Sequence, residues 1–304
     1  MPFSAKTKRL RPEANRKDQT MIRLFSIAAG LVFTLVVMTA FAVGAYTFAT
    51  EKVEHDASYY FAQKPKAPAG GFSFDGPLGK WDQAQLQRGF KVYNEVCAAC
   101  HSLKYVSFRN LAALGYNEGQ IKAFAASKQV PGIDPVTGEA TTRPGLATDH
   151  FPSPYPNDVA ARAANNNAIP PDLSLMTKAR KDGTNYVYSL LTGYSEPSAE
   201  LKAEFPDFET PEGLHYNSYF PNLNLAMAAP LTTEGQVTYD DGTKASVDQM
   251  SKDVAAFLTW TAEPTMVKRK QTGWAVLGFL LFATILAYLS KQQIWAAVKP
   301  KKAK

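Results

Sequence analysis

The sequence has 304 residues, 45% of them hydrophobic, with a formal charge of +6 and two cysteines, and its length exceeds one average domain. The charge is unevenly divided: residues 1–23 carry seven Lys/Arg, residues 266–304 carry eight and no acid, and residues 24–265 keep 18 basic against 25 acidic residues. The middle of the chain is therefore acidic, which excludes the nucleic-acid binding that the overall basic balance would suggest.

In chain order, residues 27–43 (IAAGLVFTLVVMTAFAV) are uncharged and follow Lys6, Lys8, Arg9, Arg11, Arg16, Lys17 and Arg23, the pattern of an export signal. Ala42/Gly44 and Thr47/Ala49 suit cleavage, and Met21 is an alternative start. An uncleaved transmembrane N-terminus is the competing reading, so residues 1–49 are assigned as a signal peptide or N-terminal hydrophobic segment. Residues 50–71, ending in QKPKAPAGG, form an irregular lead-in. A helix starts after Asp82, which with Gln85 forms a capping box, and Leu86, Phe90, Tyr93 and Cys97 fall on one face of it. From 130 to 171 eight prolines and the run NNNAIPP predict an extended loop wrapping a bound group. Residues 172–193 read as helix in two pieces, broken at Asp182-Gly183.

A second loop carries YFPNLNLAMAAPL, and YDDGTKA (239–245) predicts a short hairpin turning at Asp241-Gly242. Ser246 and Gln249 cap a last helix with Val247, Met250, Val254, Phe257 and Leu258 on its apolar face, ending before Pro264. Residues 272–290 are uncharged and would span about 28 Å as a helix, flanked by Lys268, Arg269 and Lys270 on one side and Lys291 on the other. This predicts a membrane anchor with a basic flank over 266–290 and a basic tail over 291–304. By the positive-inside rule the KPKKAK tail is cytoplasmic. Residues 72–265 then form a mainly α domain in the periplasm, held by a single C-terminal anchor in a bacterial inner membrane.

The chemistry concentrates in VCAACHSL. A structural zinc site needs about four ligands, and no second cysteine pair or close histidine pair accompanies Cys97 and Cys100. A thioredoxin-type dithiol belongs at the start of a helix, where the thiol pKa falls, whereas these cysteines end one. In the third reading the two thiols attach covalently to the vinyl groups of a c-type haem and His101 reaches the iron from the proximal face. A sixth ligand would come from Met176, Met227, Met250, Met266, His150 or His215. Met250 sits on an apolar helix face and Met266 beside the membrane charges. Met227, between Pro221 and Pro230 and outside regular structure, is favoured, with His150 and Met176 next. A thioether ligand raises the potential and suits electron transfer.

Across residues 72–290 the chain resembles the cytochrome c1 family, the haem subunit of the ubiquinol:cytochrome c oxidoreductase (cytochrome bc1) complex. The resemblance runs through FSFDGPLGKWDQAQLQRGFKVYNEVCAACHSLKYVSFRNLA, FPSPYPNDVAARAANNNAIPPDLSL, YVYSLLTGY, YFPNLNLAMAAPL and DDGTKASVDQMSKDVAAFLTWTAEP. It implies a mainly α c-type cytochrome domain whose long loops wrap one covalent haem c. Thioether links would form at Cys97 and Cys100, with His101 and Met227 as axial ligands and Arg180 as partner of a haem propionate. Tyr186 and Asn165 are further pocket candidates. The distal-loop disulfide of some bacterial relatives has no counterpart here, so packing and flanking prolines would hold Met227. The implied function is one-electron transfer from a Rieske iron-sulfur protein to a soluble or membrane-bound c-type cytochrome, with no bond chemistry in this chain. The implied setting is a dimeric complex with cytochrome b in a lipid bilayer. Six acids over 193–212, Glu196, Glu200, Glu204, Asp207, Glu209 and Glu212, form either a solvated loop or a surface that steers a basic cytochrome.

Overall fold

The computed structural model describes residues 14–51 and 55–298, and the chain divides into two units between His55 and Asp56. The basic residues up to Arg11 and the KPKKAK tail lie outside the described residues.

The first unit is one helix, α1 (Ala14–Thr50), which runs past the apolar stretch that suggested it. Its hydroxyls turn inward: Ser26, Thr34, Thr39 and Thr50 each donate to the carbonyl four residues earlier. The polar groups are thereby satisfied within the helix while Phe25, Phe33 and Phe41 are exposed. By length and composition Thr20–Thr50 suffices to cross a membrane, a test that an export signal also passes.

The second unit opens on α2 (Ala57–Phe61), capped by the Asp56 carboxylate, so the lead-in contains one short helical turn. Helix α3 (Gln83–Glu95) starts at Asp82, whose side chain accepts from Gln85 N. The reciprocal half of the box is absent, because Gln85 Nε2 donates 3.1 Å away to Asp253 Oδ1. Helices α4 (Glu118–Ala126), α5 (Asp158–Ala164), α6 (Met176–Ala179), α7 (Gly183–Thr192) and α8 (Ala199–Glu204) follow. The chain closes with α9 (Val247–Ala262) and α10 (Met266–Ala296).

Two segments differ from their sequence patterns. Within 130–171 lie the antiparallel ribbon β1 (Gln129–Ile133) and β2 (Ala140–Pro144), and also α5. Pro131 and Pro144 are compatible with strands here because both strands of a two-stranded ribbon are edges. Residues 239–245, in contrast, form a turn and no ladder. Asp240 and Asp241 are drawn instead to Lys91 (2.8 Å) and Arg88 (2.6 Å) on α3.

The core forms where α3 crosses α9. At Gly89 the backbones touch: a Cβ there would lie 2.0 Å from Asp253 O, so only glycine fits. Phe90 sits inside a ring of Tyr116, Phe124, Phe151 and Phe257, all with centroids within 6.2 Å. Fully buried Leu86, Phe108 and Phe257 each contribute about 1.5–3 kcal/mol of transfer free energy. The crossing also encloses a charge. Asp253, wholly buried, accepts from Gln85, from Arg88 Nε at 2.9 Å and from Gln249 Nε2 at 2.7 Å. Burial opposes the Arg88 charge, but the carboxylates of Asp253 and Asp241 outweigh it and raise the Arg88 pKa.

Helices α6 and α7 pack on the other side of α9, separated by the break at Asp182-Gly183. Asp182 is left-handed (φ +56°), and a Cβ on Gly183 would lie 1.9 Å from Thr177 O. A satellite core of Ala57, Leu201, Tyr216 and Leu223 joins α2 and α8 to the ribbon β3 (His215–Tyr216) and β4 (Asn224–Leu225). Along α10 Met266 alone is buried, and its apolar length is exposed all round, which suits a membrane span. The helix extends to Ala296, a turn and a half beyond the uncharged run.

Candidate functional site

Helix α3 delivers the cysteines. Cys97 begins a 3-10 turn, Cys97–Ala99, just past the helix end and packs against the main core. Cys100 N and His101 N both donate to Cys97 O, at 3.1 and 2.9 Å. This tight turn groups two thiols and an imidazole. Both cysteines are free, and burial, then the neighbouring Cys100, pushes the Cys97 thiol up to about 12. A thiol so raised is a poor redox nucleophile, and among the described residues no three His, Cys, Asp or Glu side chains converge on a metal position. The geometry thus weakens both the dithiol and the zinc readings.

The His101 ring is held from the far side of the site. Its Nδ1–H donates to Pro171 O at 2.8 Å, which leaves Nε2 with its lone pair exposed to a ligand position. Burial lowers the His101 pKa, keeping the ring neutral. A zipper between 101–105 and 171–174 fixes this pairing. Asp172 Oδ2 accepts from Ser102 Oγ (2.7 Å) and Lys104 N (2.8 Å), Leu173 N donates to Ser102 O, and Tyr105 N donates to Ser174 Oγ. From α3, Tyr93 OH donates to His101 O at 2.9 Å. A cleft of about 380 Å³ borders Cys100 and is walled by Pro154, Pro156, Pro170 and Pro171.

Met227 lies two residues past β4, half-buried against the same core that Cys97 touches. Tyr194 OH donates to Met227 O at 3.0 Å. Behind it Asn217, fully buried, donates from Nδ2 to Leu190 O and from N to Leu223 O, while its Oδ1 accepts from Tyr219 N. Leu223, buried at φ +66°, turns the chain back between β3 and β4. Hydrogen bonds as well as packing and prolines therefore hold this loop.

Arg180 follows α6 and is exposed, with no carboxylate partner among the described residues. It reaches the hydroxyl of Tyr186, whose pKa burial raises and Arg180 partly lowers. The other sequence candidates are occupied elsewhere. Met250 is core, Met266 begins α10, and His215 opens β3. His150 Nδ1 bonds Lys104 O, and its backbone pairs with Ser107. Asn165 Nδ2 caps the end of α5 on Ala161 O, and Met176, like Met227, packs partly buried against the main core. Pro171, Asp172, Tyr194 and Asn217 were not singled out from sequence. Pro171 and Asp172 were visible only as members of the run IPPDLSL and Tyr194 only as a member of LLTGY, while Asn217 carried no signal.

Two free thiols on a tight turn, an imidazole with Nε2 open, a half-buried thioether and an exposed guanidinium with no carboxylate partner among the described residues are a donor set that fits a covalently held haem. Residues 72–298 match the cytochrome C1 family. The chain is 46% identical over 237 residues to cytochrome c1 of Rhodospirillum rubrum, covering 75% of this chain and 87% of that one. It is 44% identical over 237 residues to cytochrome c1-2, a mitochondrial heme protein of Solanum tuberosum, covering 78% and 88%. It is 47% identical over 246 residues to cytochrome b/c1 of Bradyrhizobium diazoefficiens, covering 76% of this chain but only 36% of that longer protein.

Proposed function

The chain belongs to the cytochrome C1 family, and from that premise we propose that it is the electron-transfer subunit of a cytochrome bc1 complex, carrying one covalent haem c. The observation that carries this reading is the His101–Pro171 bond, which presents Nε2 as a metal ligand beside two unpaired cysteines. When bound, the haem supplies a one-electron couple at its iron.

The protein's own residues do the rest. Cys97 and Cys100 would hold the haem through thioether bonds to its two vinyl groups, which uses both cysteines of the sequence. His101 Nε2 would offer its lone pair to the iron, with its basicity supported by the Nδ1–H bond to Pro171. The Met227 thioether would be the second side chain to hold the iron, its loop steadied by Tyr194 and Asn217. Arg180 offers its guanidinium to a propionate, with Tyr186 alongside. A half-buried thioether and a neutral imidazole favour the lower-charged iron state and a raised potential, as suits transfer from a Rieske iron-sulfur protein to a c-type cytochrome.

The setting follows the same reading. Helix α10 anchors the domain from the periplasmic side of a bacterial inner membrane, and residues 291–304 form the cytoplasmic tail. Residues 1–49 are a leader or a second hydrophobic segment, and 72–265 are the haem domain. The partners are cytochrome b and the Rieske protein in a dimeric complex. A relative named cytochrome b/c1, of which this chain spans 36%, supports the cytochrome b pairing. The six acids of 193–212 are exposed and none is ion-paired among the described residues. Helix α8 carries Glu200 and Glu204 and is fixed by buried Leu201, which favours a docking role for a basic cytochrome over a merely solvated loop.

A reduced-minus-oxidised spectrum of membranes, with capture of the tagged chain, tests the reading. A c-type spectrum co-purifying with a b-type cytochrome and an iron-sulfur protein is expected. A colourless protein with two titratable thiols would refute it.

A further inference from the structure

The basic triplet Lys268-Arg269-Lys270 looks at first like an ordinary flank of a membrane span. Two of its three members are engaged elsewhere. Arg269 Nε donates at 2.5 Å to Glu263 Oε1, and Lys178 Nζ on α6 donates at 3.1 Å to Oε2 of the same carboxylate. Glu263 ends α9, and its side chain is only 16% exposed. One acid thus ties the first turn of α10 to α6, the short helix that leads into Arg180. The proximity of that turn also favours its charge, since a helix N-terminus attracts an anion. Arg269 and, after it, Lys178 hold the Glu263 carboxyl below its ordinary range.

Lys270 reaches the opposite way. Its Nζ donates to Phe74 O at 2.8 Å and Gly76 O at 2.9 Å. Phe74 stacks on Phe72 and packs on Trp81, immediately before the helix that delivers Cys97 to His101. The two basic residues therefore grip both halves of the site, one through α6 and the other through the strand of chain leading to α3.

Nothing else along α10 does this. Apart from Met266 the helix buries no side chain, and it is joined to α9 by three residues containing Pro264. A connection of that kind between two bodies is by default a hinge. We propose that Glu263, Arg269 and Lys270 form a rigid joint that sets the height and tilt of the domain on its membrane helix, and that they are positioning residues for electron transfer. The inference rests on the reading of α10 as a membrane anchor.

The test uses the full, haem-loaded chain in phospholipid nanodiscs, with spin labels at Ala113→Cys on the domain and Leu277→Cys on α10. The distance distribution is measured by pulsed dipolar spectroscopy with the haem reduced. The parent chain should give a narrow distribution. Lys270→Met and Glu263→Gln should each broaden it about twofold, as expected when interdomain contacts no longer suppress relative motion. Lys270→Arg should restore it, and Lys268→Met, which removes an exposed charge of the same triplet, should leave it unchanged. An unaltered visible spectrum in each variant shows that the domain is folded. A double variant Glu263→Gln/Lys270→Met with the parent width would overturn the proposal, as would equal broadening by Lys268→Met. The Leu277 label reports the anchor reading separately: access by a water-soluble relaxation agent would remove the membrane span while leaving the measured joint intact.

Discussion

Replacing Gly89 by alanine sets two effects of opposite sign against each other. In an unhindered helix interior the change would stabilise by about 1 kcal/mol, through lost backbone entropy in the unfolded chain. Here the new methyl meets Asp253 O at 2.0 Å, Asp253 C at 2.7 Å and Phe257 Cβ at 2.7 Å, and two of the three atoms are backbone. Restoring ordinary van der Waals separation requires α3 and α9 to part by about 1–1.5 Å. Overpacking of this kind costs about 1–3 kcal/mol. Parting the helices also stretches the bonds from Gln85, Arg88 and Gln249 to the buried Asp253 carboxylate, each a charge-assisted contact of about 1.5–3 kcal/mol. Partial loss of these, set against the propensity gain, leaves a net destabilisation of about 3 kcal/mol. For a unit of this size that lowers the melting temperature by roughly 6–12 °C. Thermal unfolding of the loaded protein, followed by far-ultraviolet circular dichroism, measures it. Gly119→Ala on α4, where the nearest atom is a side-chain oxygen 3.3 Å away, serves as the unhindered comparison and should stay within about 1 kcal/mol of the parent. A Gly89→Ala protein that melts at or above the parent temperature would refute the close-crossing argument.

Met227→Leu conserves volume and should cost less than about 1.5 kcal/mol of stability while lowering the midpoint potential. A redox titration with an unmoved midpoint would take Met227 off the iron. Asp172→Ala removes the acceptor shared by Ser102 Oγ and Lys104 N and should destabilise the domain by about 1.5–3 kcal/mol, read by denaturant unfolding. The Arg143 guanidinium, then the Leu146 amide, hold the Asp149 carboxyl at about 2 against an ordinary 3.8. A depressed carboxylate stabilises above the ordinary value and loses that contribution as pH falls from near 4 toward 2. Amide exchange in the β1–β2 ribbon should therefore accelerate across that window, and Arg143→Gln should flatten the response. Reversing charge at Glu196, Glu200, Glu204 and Asp207 together should weaken the salt dependence of association with a basic c-type cytochrome, followed by stopped flow.

Local signals carried α3, α6, α7, α9 and α10, but not α2, α4, α5 and α8. Asp82 and Ser246 cap where hydroxyl or carboxylate meets the third amide on, and the break at Asp182-Gly183 falls where a left-handed residue precedes a glycine pressed on Thr177 O. The cysteine turn was equally visible, since its residues are adjacent. What escaped was long-range. Gln85 and Gln249 read as capping-box partners, yet both turn to Asp253: Gln249 from one turn earlier on the same helix, and Gln85 from across the α3–α9 crossing, 168 positions away and beyond any short window. The same holds for Asp240 and Asp241, whose hairpin potential yields to Lys91 and Arg88. The prolines of 130–171 masked a ribbon because strand statistics disfavour proline except on edges, and this ribbon is all edge. Tyr194 and Asn217 hold the Met227 loop through bonds to backbone carbonyls, and such bonds leave no residue-type signature.

The bond between His101 and Pro171 spans 70 positions of sequence, and the Ser102–Asp172 bond spans another 70. Distance along the chain becomes order in time when a polypeptide leaves a channel N-terminus first. The cysteine turn then emerges well before the segment whose Pro171 carbonyl orients its histidine. The orientation of the His101 ring is imposed only afterwards, when residues 171–174 arrive and close the zipper.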